Sequence, residues 1–237
     1  MASAVASCKM KPRLGLLVGQ IASQLPKGEN FRCYDLVISS FRRVRMPSEL
    51  HRLGFEPRIL ARVRKEEKKI PVSFVERLSQ QRRARLRLLE YLCEHSEIEV
   101  WGHGVNDLSK DSPIRLHRRG NAWGIDMFQV LHDSVITLNH HGEMSGQYAG
   151  NMRLFEATGI STLLLTDWKA NLREMFEPEK ELVAYHSPEE CAELIEYYLE
   201  HDDEREAIAR VGQQRTLRQH AHYQRMRELV SIVEKHL

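Results

Sequence analysis

His140, His141, Asn151, Arg153 and Glu156 crowd two imidazoles, an amide, a guanidinium and a carboxylate into one short stretch of this sequence. A carboxylate near the start of a helix can accept both hydroxyls of a ribose, as the acid of dinucleotide-binding folds does. Glu156 can equally be a helix-face acid paired with Arg153, three positions before it, or with Lys169. The adjacent histidines raise the question of a metal. Neighbouring side chains on an extended segment point apart, and no cysteine or aspartate cluster completes a set, so no metal is expected. Arg77 and Arg82 are cations able to face phosphate, or part of a solvated basic helix start with Arg83, Arg85 and Arg87. Gly102, in Gly102-His103-Gly104, would let backbone approach a ligand or make a tight turn. Asp167 and Asn171 flank the start of a further helix, where capping competes with ligand binding.

The elements around these residues follow an α/β pattern. The apolar run Ser134-Val135-Ile136-Thr137-Leu138 reads as a strand leading into the polar loop with the histidines. A helix through Leu154, Phe155 and Ala157 follows, then Gly159 and the strand Thr162-Leu163-Leu164-Leu165. Strand, polar loop, helix, glycine, strand describes an open parallel sheet with a ligand crevice at its strand ends. Earlier, Val72 to Val75 and Ile98 to Trp101 predict strands, with a helix over Gln80 to Cys93 turning Leu86, Leu89 and Leu92 inward. A helix over Trp123 to His132 would bury Ile125, Phe128 and Leu131. Leu182 to Tyr185 predicts another strand, and the tail from Pro188 is helical with breaks near Asp202 and around His220 to Tyr223. Before all this, Leu14 to Val18 and Tyr34 to Ser40 predict two strands around a Pro/Gly loop over 24–30. A basic stretch runs from Arg42 to Arg45, and Leu53-Gly54-Phe55-Glu56-Pro57 makes a turn.

Composition narrows the class. The 237 residues suit one large domain or one and a half small ones, and 42% hydrophobic with 29% charged residues is ordinary for a globular protein. A formal net charge of +2 does not call for a polyanionic partner, and nucleic acid is not expected. Cys8, Cys33, Cys93 and Cys191 lie far apart without a pairing rhythm and read as reduced thiols of a cytoplasmic protein. No apolar run reaches the ~20 residues of a membrane span. Gln213, Arg215, Arg218, His220 and Arg225 form a basic helical face without the aromatic platform of a nucleic-acid binder, and packing and capping explain it best.

Six motifs in order carry a family resemblance: Asn151-x-Arg153-x-Phe155-Glu156-Ala157-x-Gly159; Leu163-Leu164-Leu165-Thr166-Asp167; Asn171-Leu172-x-x-x-Phe176-Glu177-Pro178; Tyr185-x-Ser187-Pro188-Glu189-Glu190; Gly212-Gln213-x-Arg215-Thr216-Leu217-Arg218-x-His220; and Tyr223-x-x-Arg225-Met226. Together they resemble the C-terminal domain of GT-B glycosyltransferases, most nearly the CgeB-like (spore-maturation type) group. The resemblance implies a Rossmann-like parallel sheet flanked by helices over 70–237, the nucleotide-sugar-binding domain. Residues 1–69 would hold a short remnant of the N-terminal, acceptor-side domain and the crossover. It further implies hexosyl transfer from a nucleotide-diphosphate sugar to an acceptor hydroxyl, with retention by analogy and no cofactor. Glu156 would hold the ribose, Arg77 and Arg82 the phosphates, and His140 or His141 the sugar, while Asn151 and Arg153 cradle the nucleotide.

The chain departs from that family at two places. Glu76 stands where relatives carry glycine. Tyr148 stands eight positions before Glu156, where many retaining relatives carry a glutamate that Glu143, His140 or His141 would have to replace. These departures motivate an alternative, a non-catalytic nucleotide-binding or partner subunit. A protein partner or second copy would then cover apolar surface near Leu14–Val18 and Tyr34–Ile38.

Overall fold

The computed structural model of the protein describes residues 14–17, 36–39 and 49–235, apart from positions 81, 143 and 144. The loop over 24–30, the Arg42–Arg45 stretch, Cys8, Cys33, Glu143 and the side chains of the first two strands lie outside the described residues. The chain forms two compact units, one of Met1–Arg52 with Met226–Leu237 and one of Leu53–Arg225. In the smaller unit β1 (Leu14–Leu17), β2 (Leu36–Ser39) and β3 (Glu49–Leu50) pair in that order, all parallel.

The larger unit alternates strand and helix. Its elements are β4 (Ile70–Val75), α1 (Arg83–His95), β5 (Ile98–Trp101), α2 (Ile114–His117), β6 (Arg118–Gly120), α3 (Ile125–Asp133), β7 (Ser134–Asn139), α4 (Arg153–Gly159), β8 (Leu163–Asp167) and β9 (Val183–Tyr185). Three helices close the chain: α5 (Pro188–Glu200), α6 (Asp202–Gln219) and α7 (His222–Glu234). The six strands lie in the order β6-β5-β4-β7-β8-β9, every pair parallel. The chain winds outward from β4 in one direction and from β7 in the other, which is the Rossmann arrangement. The topological switch point therefore lies between the carboxyl ends of β4 and β7.

The inner strands are almost wholly apolar because helices cover both faces of a parallel sheet. Alternation within them decides which layer each side chain enters. Leu163 and Leu165 join Leu86, Leu89 and Leu92 of α1 and Ile195 of α5 in one core layer. Leu164 joins Leu131 of α3 and Leu154, Phe155 and Ala157 of α4 in the other. Helix α5 starts sharply because the Ser187 side chain accepts from Glu190 N, Pro188 fills the first turn, and Glu189 and Glu190 face the positive end of the helix.

Several boundaries shift from expectation. Helix α1 begins at Arg83 rather than Gln80 and has no side-chain cap. Ile125 is 45% exposed at the first position of α3, so of its expected burying trio Leu131 alone is fully buried. The edge strand β6 and the short α2 carry no sequence signal, because Arg118-Arg119-Gly120 has no apolar residue and one paired edge supplies its hydrogen bonds. Within the larger unit the segment ahead of β4 is tied to the later helices. Phe55 explains this: it is buried, Phe55 N donates to His220 O (2.9 Å), and His222 N donates to Phe55 O (2.8 Å).

The Phe55 ring lies so close to α4 that a Cβ added at Gly159 would sit 2.5 Å from it. Gly159→Ala should therefore destabilise the protein by about 1–3 kcal/mol through overpacking. At roughly 2–4 °C per kcal/mol for a chain of this size, a thermal melt should show a midpoint several degrees lower. An unchanged midpoint would mean the Phe55 segment is not seated on α4.

Candidate functional site at the switch point

The sheet order reverses between β4 and β7, and the loops leaving these two strands, together with helix α4, carry most of the candidate residues. Beyond β7, Asn139 fixes the strand end: its amide nitrogen donates to Thr166 Oγ1 (2.9 Å), and its Oδ1 accepts from Asn151 Nδ2 (2.5 Å). Asn151 thus braces the loop from behind. Asn171 does the same further on, with Oδ1 accepting from Ala149 N (2.6 Å) and Nδ2 donating to Ala149 O (3.0 Å). Only a short 3-10 turn, Leu172–Glu174, follows Asn171, and the Asn171 side chain does not cap it.

Strand β7 ends at Asn139, so the two histidines are not confined to an extended run. Contrary to the expectation that they point apart, both converge on Asp167 at the end of β8. His141 N and Nδ1 lie 2.9 and 2.7 Å from Asp167 Oδ1, while His140 Nδ1 lies 3.7 Å from Oδ2. Lys169 Nζ stands 3.0 Å from Oδ2. Burial by itself would raise the Asp167 carboxyl. The His141 hydrogen bond and the charges of His141, His140 and Lys169 outweigh it and hold the group well below the usual carboxylate range. Among the described residues no group of three or more histidine, cysteine, aspartate or glutamate side chains is arranged to hold a metal.

His141 is fully buried, whereas the His140 side chain remains 18% exposed. Burial pushes the His140 imidazole below its ordinary value, with Arg85, Lys169 and His141 acting the same way and Asp167 opposing them. It therefore stands neutral at pH 7, a hydrogen-bonding group rather than a cation. Tyr185, unassigned by the sequence reading beyond its strand, supports it from below. Its hydroxyl donates to Asn139 O (2.8 Å), lies 3.3 Å from His140 Nδ1, and the two rings stack.

On α4 both Arg153 and Glu156 are buried and paired, Arg153 Nη1 standing 2.9 Å from Glu156 Oε2. Arg153 Nη2 also donates to Val75 O (2.5 Å), tying α4 to the end of β4. The partner that the sequence offered Glu156 as an alternative to ribose is thus present. Burial raises the Glu156 carboxyl, Arg153 opposes that, and Glu76 adds to it.

After β4, Arg77 is exposed and Arg82 half-buried. Gly102 packs against this loop: a Cβ there would lie 1.9 Å from Glu76 O, and Glu76 N donates to Trp101 O (3.1 Å). The glycine brings β5 against protein backbone. Arg85 corrects the solvated-helix reading, being 1% exposed. Its Nε donates to His140 O (3.1 Å), Nη2 donates to the same oxygen, and Nη1 pairs with Glu76. The signal was available, since positions 85, 89 and 92 follow one helical stripe with Leu89 and Leu92. Part of the basic face of the last helices is likewise absorbed into packing: Arg215 Nε donates to Met175 O (3.1 Å), and Arg225 and His220 are buried, while Arg218 stays exposed.

The arrangement offers a buried carboxylate at a helix start, cations beside the end of β4, and a neutral imidazole beyond β7. Those groups suit an anionic ligand that also carries hydroxyls. Among the described residues no helix is long and apolar enough to cross a membrane.

A family model described as glycosyl transferase-like matches residues 74–231, a span containing all of these groups. HepE from Anabaena, solved with UDP-glucose, has 12% identity and a TM-score of 0.70, covering 95% of this chain and 72% of its own. A sucrose-phosphate synthase from Thermosynechococcus elongatus has 11% identity and a TM-score of 0.63, covering 85% of this chain and 58% of its own. A glycosyltransferase from Rickettsia africae gives 11% and 0.63, over 84% and 63%. No curated protein sequence matched. At such identities the structural likeness speaks for the fold alone, which is that of the GT-B enzymes. With its model matched over more than half of the sequence, the chain belongs to the glycosyl transferase-like family.

Proposed function

We propose that the protein transfers a hexosyl group from a nucleotide-diphosphate sugar to an acceptor hydroxyl, and that it falls in the CgeB-like group. The observation carrying this reading is Glu156, a buried carboxylate at the start of α4 held in place by Arg153 beside the switch point. A carboxylate so placed can accept both hydroxyls of a ribose. Arg77 and Arg82 then neutralise the diphosphate as the sugar–phosphate bond breaks, and Asn151 and Arg153 support the nucleotide. Gly102 and Asn171 shape the two loops, while His140, held with the buried His141 on Asp167, faces the sugar. The relative solved with UDP-glucose favours a uridine nucleotide. Residues 70–237 form the donor side, and residues 1–69 belong to the acceptor side and the crossover. The buried free thiols Cys93 and Cys191 favour the cytoplasm.

Calorimetric titration with UDP, GDP, ADP, TDP and CMP, and with their sugar conjugates, tests the reading. Glu156→Gln preserves shape beside Arg153 and should weaken the preferred nucleotide by about 1.5–3 kcal/mol, the worth of a charged hydrogen bond. Equal binding by wild type and variant would remove Glu156 from the site. No binding of any nucleotide by the wild type would sink the proposal as a whole.

A further inference from the structure

The position where a diphosphate would meet its cations already holds an anion. Glu76 is the first residue after β4, and its Oε2 lies 3.3 Å from Arg82 Nη1 and pairs with Arg85 Nη1. Arg85 is immobilised on His140 O, so the carboxylate stands between the ends of β4 and β7. Arg82 spans the same gap: its Nε lies 3.8 Å from where a Cβ on Gly142 would be. Resting on the reading of the switch point as a phosphate site, we propose that Glu76 is an internal stand-in for the phosphate. A ligand must displace this carboxylate from the arginines in order to bind, and Glu76 thereby sets which anions are accepted.

Movement of the carboxylate has to come from the side chain. Glu76 N is tied to Trp101 O (3.1 Å), Leu78 N to His103 O (2.8 Å), and Gly102 presses against the Glu76 carbonyl. The Glu76 side chain is 19% exposed, enough to swing outward, whereas that of Arg85 is 2% exposed and stays. The other nearby charges, Arg153 with Glu156 and Lys169 with Asp167, are paired among themselves. Among the described residues Glu76 is thus the carboxylate paired with both Arg82 and Arg85, the one a ligand would compete with. An anion offering charge alone, such as inorganic pyrophosphate, gains the two arginines only by breaking the pairs that Glu76 already makes. A nucleotide sugar brings further contacts through its ribose and sugar hydroxyls, and these offset the displacement. The carboxylate therefore discriminates against bare phosphates and in favour of the complete donor.

The test is calorimetric titration and thermal melting of the full chain with inorganic pyrophosphate, comparing wild type, Glu76→Gln and Glu76→Asp. Glu76→Gln should melt lower without ligand, because Arg85 loses its charged partner. It should bind pyrophosphate at least tenfold more tightly than wild type and gain more in melting temperature from it. Glu76→Asp withdraws the carboxylate by one methylene and should shift affinity the same way by less, which keeps the test decisive if the glutamine variant does not fold. Pyrophosphate affinity unchanged or weakened in the variants overturns the proposal. Where nucleotides bind and respond to Glu156→Gln but pyrophosphate does not respond to Glu76, this inference alone fails. Where pyrophosphate follows the expected order and no nucleotide binds, the donor assignment fails and the competing role of Glu76 stands.

Discussion

Arg85→Met is expected to lower the stability of the fold by about 3 kcal/mol, read as a lower urea midpoint at unchanged slope. Methionine retains much of the apolar stem, so the change isolates the guanidinium. That group serves two loops at once, through Glu76 after β4 and the His140 carbonyl after β7. Removing it leaves the carbonyl without these donors and Glu76, among the described residues, with the partly exposed Arg82. The remaining Arg82 pair places the cost at the low end of the ~3–5 kcal/mol for breaking a buried ion pair. A loss below about 1 kcal/mol, the scale of a surface pair, would mean that Arg85 is not the buried tie between the two loops.

Asp167→Asn should cost about 2 kcal/mol at neutral pH and should flatten the acid side of the stability profile. The asparagine can still accept from His141, but charge-assisted hydrogen bonding, worth about 1.5–3 kcal/mol, is lost. Lys169 loses its counter-charge as well. The folded Asp167 carboxyl lies below its ordinary value, burial being outweighed by the His141 hydrogen bond and the neighbouring positive charges. A group depressed in this way stabilises the fold above the unfolded value of about 3.9, and loses that contribution as pH falls from there toward the folded value. The difference in stability between wild type and variant should therefore shrink as pH falls below about 4. Urea melts at a series of pH values give the comparison. A difference that keeps growing below about pH 4 would contradict the depressed carboxyl.

How much of this was legible beforehand differs between fold and site. The continuous apolar runs at 72–75, 134–138 and 163–165 mark buried parallel strands because helices cover both faces of the sheet. Gly159 and Pro188 mark a helix end and a helix start for local backbone reasons. The first of the six ordered motifs singled out Glu156 and Arg153, and the histidines stood out in the polar loop before it. Strand β6 stayed hidden because an edge strand of two arginines and a glycine depends on its neighbour and leaves no periodicity of its own.

Within the site, sequence supplied the residue types and left their partners undecided. Glu156 beside Arg153 is a helical spacing, and that pair formed. Glu76 and Arg85 are separated from His140 along the chain by α2, α3 and three strands, so their meeting depends on β4 and β7 lying side by side. The same holds for Asp167 and His141, brought together because β7 and β8 are neighbours in register. Local spacing acts over a turn or two of backbone, and the sequence by itself determined the alternating α/β fold and the polar groups that lie at its strand ends. Which of those groups are paired, neutral or buried was decided by strand order in the tertiary structure, because Coulombic interaction and desolvation depend on distance through space.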